Sequence, residues 1–104
     1  MPKPFLDTTD AERRTVNRIV AEPAGRGNGR CFWDVYLYSL GHSEPIAHEA
    51  AALDDDPPDQ IESYIDHYLQ RIGLRRSESL IAGEEGVIRA RVERGETLPT
   101  EPDR

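Results

Sequence analysis

The most informative stretch of this chain is residues 31–40, CFWDVYLYSL. Aromatic and β-branched residues of this kind are typical of a pleated, partly buried strand. Successive side chains of a strand point to opposite faces. One face carries Cys31, Trp33, Val35 and Leu37, and the other carries Phe32, Asp34, Tyr36, Tyr38 and Leu40. Both faces of the predicted strand are largely apolar, so both need cover.

On the N-terminal side, residues 15–24 favour a second strand, because they precede a glycine-rich turn and then the strand of residues 31–40. The turn is Gly25-Arg26-Gly27-Asn28-Gly29, and two extended runs around such residues predict a hairpin. A helical interpretation competes over residues 7–22, where Thr9 and Glu12 have capping-box spacing. We favour the hairpin, with a helical turn near residues 8–13.

A helix is predicted over residues 59–72. Its apolar residues recur at three- and four-residue steps and form one stripe: Ile61, Tyr64, Ile65, Tyr68, Leu69 and Ile72. Gly73 ends the pattern, and acids before residue 60 lie where the helix macrodipole favours negative charge. Residues 46–53 return before it as a third strand, although their alanines and Glu49 also suit a helix.

The C-terminal part fits two structures. Residues 77–94 are compatible with a helix weakened by Gly83 and Gly86, or with a hairpin that turns between these glycines. Residues 97–104 combine prolines with charges, so we expect a flexible tail. The chain is therefore predicted to be one small α+β domain over residues 1–96. A β-hairpin or three-stranded antiparallel meander packs on one amphipathic helix, with an additional C-terminal helix or hairpin.

Length and charge limit the classes of function. The 104 residues fit a single domain, and 13 Lys and Arg against 20 Asp and Glu give a net charge of −7, which argues against broad capture of nucleic acid. No apolar run approaches the roughly 20 residues that span a bilayer, and Asp7 interrupts any signal peptide. Cys31 is the single cysteine, so an internal disulfide is excluded. We expect a cytoplasmic protein with no membrane contact and no cofactor.

Charge is unevenly distributed along the chain. Residues 31–70 contain nine acids and no Lys or Arg, whereas residues 1–30 are mildly basic and residues 71–104 are balanced. An acidic surface attracts a cationic partner, but it also improves solubility. A solvated surface is the simpler interpretation, and docking of a cationic protein is the functional hypothesis.

The second face of the predicted sheet needs a partner. One helix covers only one face of a small sheet, so the helix of residues 59–72 shelters Val35 and its neighbours but leaves Phe32, Tyr36 and Tyr38. Contiguous exposed aromatic area is typical of interaction sites. The cover is either the C-terminal segment around residues 80–92, a second copy of the chain in a homodimer, or a ligand.

No residue pattern identifies a catalytic or metal site. His42, His48 and His67 lie among carboxylates, but their spacing matches no compact metal signature. A cysteine or serine near a histidine is not by itself a catalytic triad, and the loop of residues 25–30 lacks the Lys-Ser/Thr ending of a phosphate-binding P-loop. We therefore predict a protein that is not an enzyme and holds no metal.

The candidate partner-binding residues are aromatic, basic and acidic: Phe32, Tyr36, Tyr38, Arg26, Arg30, Asp54, Asp55 and Asp56. We predict a non-catalytic protein-interaction or regulatory accessory module that uses the aromatic strand face and the acidic middle segment to hold a protein partner. The alternative is a single-stranded nucleic-acid-binding protein, because Arg26 and Arg30 next to strand aromatics combine phosphate contacts with stacking platforms.

Overall fold

The computed structural model describes residues 2–54 and 59–94, except for the side chains of residues 54 and 59. The predicted α+β class is confirmed for this part of the chain. Its antiparallel sheet is curled and has six strands, which is wider than the predicted hairpin or three-stranded meander, and it is accompanied by one main helix and one short helix. The strands are β1 (Val16–Gly27), β2 (Arg30–Ser39), β3 (Ala47–Asp54), β4 (Leu74–Arg76), β5 (Ile81–Ala82) and β6 (Ile88–Arg94). The helices are α1 (Asp10–Thr15) and α2 (Asp59–Arg71), and short 3-10 helices span Phe5–Asp7 and Glu84–Gly86. The tail predicted for residues 97–104 lies outside the described residues.

The strands lie in the order β3-β2-β1-β6-β4, and β5 also pairs with β6. β1 and β2 form a long hairpin whose register runs from Val16 opposite Ser39 to Gly27 opposite Arg30. Asn28 and Gly29 at its turn have φ values of 54° and 74°. A two-residue type I′ turn requires positive φ at both positions, which explains the Asn-Gly pair.

α2 covers one face of this sheet. The core between them contains Ile61, Ile65, Leu69 and Ile72 from the helix side and Ile19, Val35, Leu37 and Ala90 from the strands. Gly73 follows the helix with a φ of +78°, a left-handed conformation that glycine adopts without steric cost. Among the described residues, neither helix combines the length and the apolar character that a membrane span requires.

An arginine clamp joins β4 to α2. Arg76 donates from Nε to Asp66 Oδ1 at 2.6 Å, and from Nη2 to Asp66 Oδ2 at 3.0 Å and to Glu62 Oε2 at 2.8 Å. Such bidentate arginine–carboxylate contacts are both strong and geometrically specific. The hydrogen bond to Asp66 raises the pKa of Arg76 above its ordinary value. Two acidic residues of the middle segment, Glu62 and Asp66, therefore form ion pairs within the chain.

Several segments take one of the alternatives that the sequence left open. Residues 10–15 form a helix with a capping box between Thr9 and Glu12, and the strand after it starts at Val16. Residues 47–54 are a strand in spite of their alanines. Residues 81–82 and 88–94 are strands as well, and they join the edge of the sheet. The C-terminal segment therefore does not cover the second face of the sheet, because its strands widen the sheet instead of crossing that face.

We expect Ile65→Ala to lower the free energy of unfolding by about 2–5 kcal/mol. The isoleucine is fully buried between α2 and the sheet, so its truncation leaves a cavity. Urea unfolding followed by circular dichroism measures the change. Gln70→Ala, on the exposed side of the same helix, is the matched control and should change stability by less than about 0.5 kcal/mol. Equal effects of the two substitutions would contradict the packing of α2 on the sheet.

Candidate functional site

The candidate site is the sheet face opposite α2, which we call the open face. Directly opposed cross-strand partners share a face, so the register assigns its side chains. The open face carries Arg18, Val20, Glu22, Arg30, Phe32, Asp34, Tyr36, Tyr38, His48, Ala50, Ala52, Ile81, Arg89 and Arg91. Neither described helix packs on it, and Phe32 and Ile81 remain 41% and 42% exposed.

β2 places the three predicted aromatic residues on this face. Tyr36 stacks on His48 of β3, with ring centroids 4.9 Å apart and ring planes inclined by 28°. The guanidinium carbon of Arg18 lies 4.2 Å from the ring centroid of Tyr38, which is a cation–π contact. Both tyrosines are half-buried, whereas Phe32 is exposed. The centre of the open face is therefore aromatic, and its tyrosines have fixed neighbours.

His48 connects the ring of Tyr36 to a carboxylate. Its Nε2 lies 2.8 Å from Oδ1 of Asp34. Partial burial raises the pKa of Tyr36, and the nearby negative charges of Asp34 and Glu22 raise it further. The phenol of Tyr36 therefore stays protonated beyond its ordinary pH range and remains a hydrogen-bond donor.

Opposite charges lie on either side of Val20 on the open face. Arg18 of β1 lies opposite Arg91 of β6, and we call these two residues the basic end. Glu22 of β1 lies opposite Asp34 of β2, and we call these two the acidic end. Val20 lies halfway between Arg18 and Glu22 on the same strand, about 7 Å from each along the chain. Charge therefore changes sign along β1 from Arg18 to Glu22. The row between them contains Val20 and Tyr36, together with Arg89 opposite Val20, and Arg30 lies beyond Asp34 on β2.

The two arginines of the glycine-rich loop lie on different faces. Arg30 pairs with Gly27 and shares the face of Phe32, whereas Arg26 pairs with Cys31 and shares the other face. A register shift between Pro23 and Gly25 is the cause. It adds one residue to β1, as a β-bulge does, and without it Arg26 would lie opposite Arg30. The expected grouping of both arginines beside the aromatic residues does not occur.

The acidic candidates do not gather beside the aromatic residues either. The backbone of Asp54 ends β3 opposite Arg30, and Asp55 and Asp56 lie outside the described residues. Of the other acids in the middle segment, Asp34 is on the open face, while Glu62 and Asp66 lie on α2 and bind Arg76. The acidic segment is divided between the two sides of the sheet.

Sequence reasoning missed the charged residues that flank the aromatic centre. The available signal was the alternation along β1, where Arg18, Val20 and Glu22 interleave with buried Ile19 and Ala21. Period-two alternation of this kind indicates a half-buried strand. Arg91 had no comparable signal, because its place on the open face depends on the long-range pairing of β6 with β1.

The histidines lie on separate elements. His48 is on β3 beside Asp34, His42 is in the turn after β2, and His67 is exposed on α2. Within residues 2–54 and 59–94, no three His, Cys, Asp or Glu side chains are grouped so that they could hold a metal ion.

Comparison of the chain with protein-family models, curated proteins and solved structures finds no match. Its function must therefore be inferred from the open face and the other surfaces of the described residues.

Tyr36 should ionise above the ordinary phenol pKa of 10.0. Asp34→Asn removes one of the charges that raise this pKa, so the value should fall but stay above the ordinary one, because the burial of the ring persists. The difference between ultraviolet titrations of each chain and of its Tyr36→Phe counterpart isolates this phenol.

The same shift predicts the direction of a stability change. The folded chain holds the Tyr36 proton to higher pH than the unfolded chain, so the free energy of unfolding should fall as the pH rises above 10.0. Tyr36→Phe should reduce this fall, as measured by urea unfolding across the alkaline range. A Tyr36 titration at the ordinary value would contradict the geometry of His48, Asp34 and Tyr36 described above.

Proposed function

We propose that this chain is a non-catalytic protein-interaction module of a regulatory or accessory kind, whose open face docks on the open face of a second copy. The observation that carries the proposal is the charge order along β1, where Arg18 and Glu22 lie on the open face on either side of Val20. In a homodimer whose two-fold axis crosses the strands at Val20, Arg18 of each copy meets Glu22 of the other. These two residues of β1 are then complementary across the axis, as an isologous interface requires, whereas Arg89, which lies opposite Val20, faces its own copy.

The neighbouring strand follows the same symmetry. On β2, Tyr38 and Asp34 lie on either side of Tyr36, which is opposite Val20. The axis brings the Tyr38 hydroxyl of each copy towards the Asp34 carboxylate of the other, so the acidic middle segment enters the interface through Asp34. Stacked sheets lie about 10 Å apart, a separation that tyrosine side chains from both faces can fill.

Burial of the apolar centre provides the favourable free energy of association. Val20, Phe32, Tyr36 and Ile81 lie on one face that no described helix covers. Removing apolar area from water contributes about 25 cal/mol per Å². Complementary charges across an interface contribute more to orientation and specificity than to affinity. The aromatic centre therefore supports binding, and the two charged ends select one arrangement of the copies.

We expect Arg18→Glu and Glu22→Arg to weaken the dimer, each by at least tenfold in Kd, which corresponds to about 1.4 kcal/mol. Each single substitution brings like charges together twice, because the two-fold axis repeats the contact. Sedimentation of the purified chain over a range of concentrations measures the Kd. The double variant carrying both substitutions restores opposite charges at both contacts and should dimerise again.

Mixing the two single variants tests the symmetry itself. The glutamate introduced at position 18 of the first variant then faces the arginine introduced at position 22 of the second. The unmutated Glu22 of the first faces the unmutated Arg18 of the second, so the mixture should form a heterodimer. Arg14→Glu and Glu44→Arg make the same charge changes on exposed residues outside the open face, and they should leave the dimer intact. A monomeric unmutated chain, or single variants that dimerise normally, would overturn the proposal.

A second candidate, binding of single-stranded nucleic acid, is favoured by the arginines beside the tyrosines. Arg18, Arg89 and Arg91 lie on the same face as Tyr36 and Tyr38, and such faces combine phosphate contacts with base stacking. Glu22 and Asp34 on that face and the net charge of −7 oppose a polyanion. This balance of charge places the candidate second.

Glu22→Arg separates the two candidates because it has opposite effects on them. Under the nucleic-acid candidate, it removes a repulsive charge and should strengthen binding of a labelled single-stranded oligonucleotide, measured by fluorescence anisotropy at low salt. Arg18→Glu should weaken that binding, and added salt should weaken it for every variant. If the unmutated chain gives no anisotropy change at low salt, this candidate is eliminated.

A further inference from the structure

A second surface of the molecule is a cleft of about 330 Å³ at one end of the sheet. It lies where α1, the turn after α2 and the end of β6 meet. Its lining residues are Asp10, Arg13, Arg14, Arg71, Ile72, Gly73, Leu74 and Arg94. None of these residues belongs to the open face, so the cleft is a separate site.

Four arginines and one carboxylate line this cleft. The local formal charge is therefore about +3, since guanidinium groups stay protonated in proteins. The chain as a whole has a net charge of −7, so the cleft has the opposite sign to the molecule. A concave surface lined by one sign of charge concentrates its field on a ligand of the other sign.

The arginines come from separate segments that the fold brings together. Arg13 and Arg14 belong to α1, Arg71 is the last residue of α2, and Arg94 ends β6 opposite Leu74. A helix macrodipole favours a cation at a helix C-terminus, which accounts for Arg71. It does not account for Arg94, which lies at the end of a strand.

Arg13 is held in place by the N-terminal segment. Its Nε donates to Thr8 Oγ1 at 2.8 Å, and its Nη2 donates to the carbonyl oxygen of Leu6 at 3.2 Å. Thr8 is itself buried and donates from Oγ1 to the carbonyl oxygen of Phe5 at 2.6 Å. This side of the cleft is therefore preorganised, which lowers the entropic cost of ordering the Arg13 side chain when a ligand binds.

We propose that this cleft binds a phosphate group, carried by a small phosphate monoester. The guanidinium group of arginine binds two phosphate oxygens at once. A phosphate monoester carries a charge of about −1.5 to −2 on one group near neutral pH. A ligand with a phosphate group therefore matches four arginines better than a ligand with a single carboxylate group. The volume is at the lower end of small-molecule sites, which span about 300–1,000 Å³. Asp10, the one carboxylate in the lining, can accept a hydrogen bond from a hydroxyl group on the organic part of the ester.

Calorimetric titration of the full chain with ribose 5-phosphate, inorganic phosphate and succinate tests this site. We expect ribose 5-phosphate to bind more tightly than inorganic phosphate, because the organic part contacts the cleft, and succinate to bind at least tenfold more weakly than either. Equal affinity for the two phosphates would retain the phosphate site and assign it to the free anion. Succinate binding as tight as phosphate binding, or no heat with any phosphate, would overturn the proposal.

The combined substitution Arg71→Gln and Arg94→Gln should weaken ribose 5-phosphate binding at least tenfold. Circular dichroism and urea unfolding establish that the variant is folded. Arg75→Gln is the matched control, because Arg75 is an exposed arginine on β4 outside the cleft, and it should leave the affinity unchanged. Unchanged affinity in the double variant would overturn the site. Arg18→Glu should bind ribose 5-phosphate normally, so failure of the dimer and failure of the cleft are distinguishable.

Discussion

The constraint on which this molecule depends is that its sheet has two faces and its described helices cover one. The apolar stripe of α2 buries the side that contains Ile19, Val35 and Leu37, and the clamp between Arg76 and Asp66 holds β4 against the same helix. Residues 81–94 do not supply a second layer, because β6 pairs edge to edge with β1 and β5 pairs with β6. The aromatic residues of β2 on the opposite side are left with cross-strand neighbours alone. The open face therefore follows directly from the number of layers in the fold.

A two-sided sheet with one bare apolar face risks indiscriminate association, and the composition of the open face opposes it. Arg18 covers the ring of Tyr38, and His48 covers the ring of Tyr36. These polar neighbours reduce the apolar area that is exposed in the free chain. Arg18 on one side of Val20 and Glu22 on the other also give the face a direction along β1. A surface with this order accepts a partner in one orientation and repels it in the reversed one.

The elements that could be predicted were those whose burial pattern is local. The stripe of α2 and the alternation of residues 31–40 each identify their own element, because three- and four-residue steps and period-two alternation belong to different geometries. Residues 77–94 had no such signal, and their strands exist because β1 offers an edge to Ile88–Arg91. The bulge near Pro23 was equally hidden, although it decides which loop arginine reaches the open face. Pairing partners and register are long-range properties, and for that reason the charged flanks of the site were missed.

The distribution of charge explains how an acidic chain can group arginines on two surfaces, which are the basic end of the open face and the cleft. Glu62 and Asp66 are held on the helix side by Arg76, while Arg91 of β6 lies on the open face and Arg94 reaches the cleft. Two copies with a net charge of −7 each repel one another at long range, but salt screens this repulsion beyond about 8 Å at physiological ionic strength. At contact distance, matched pairs such as Arg18 with Glu22 are screened far less. Net charge therefore opposes random association, and the local charge order favours only the arrangement in which the two ends of the open face meet their opposites.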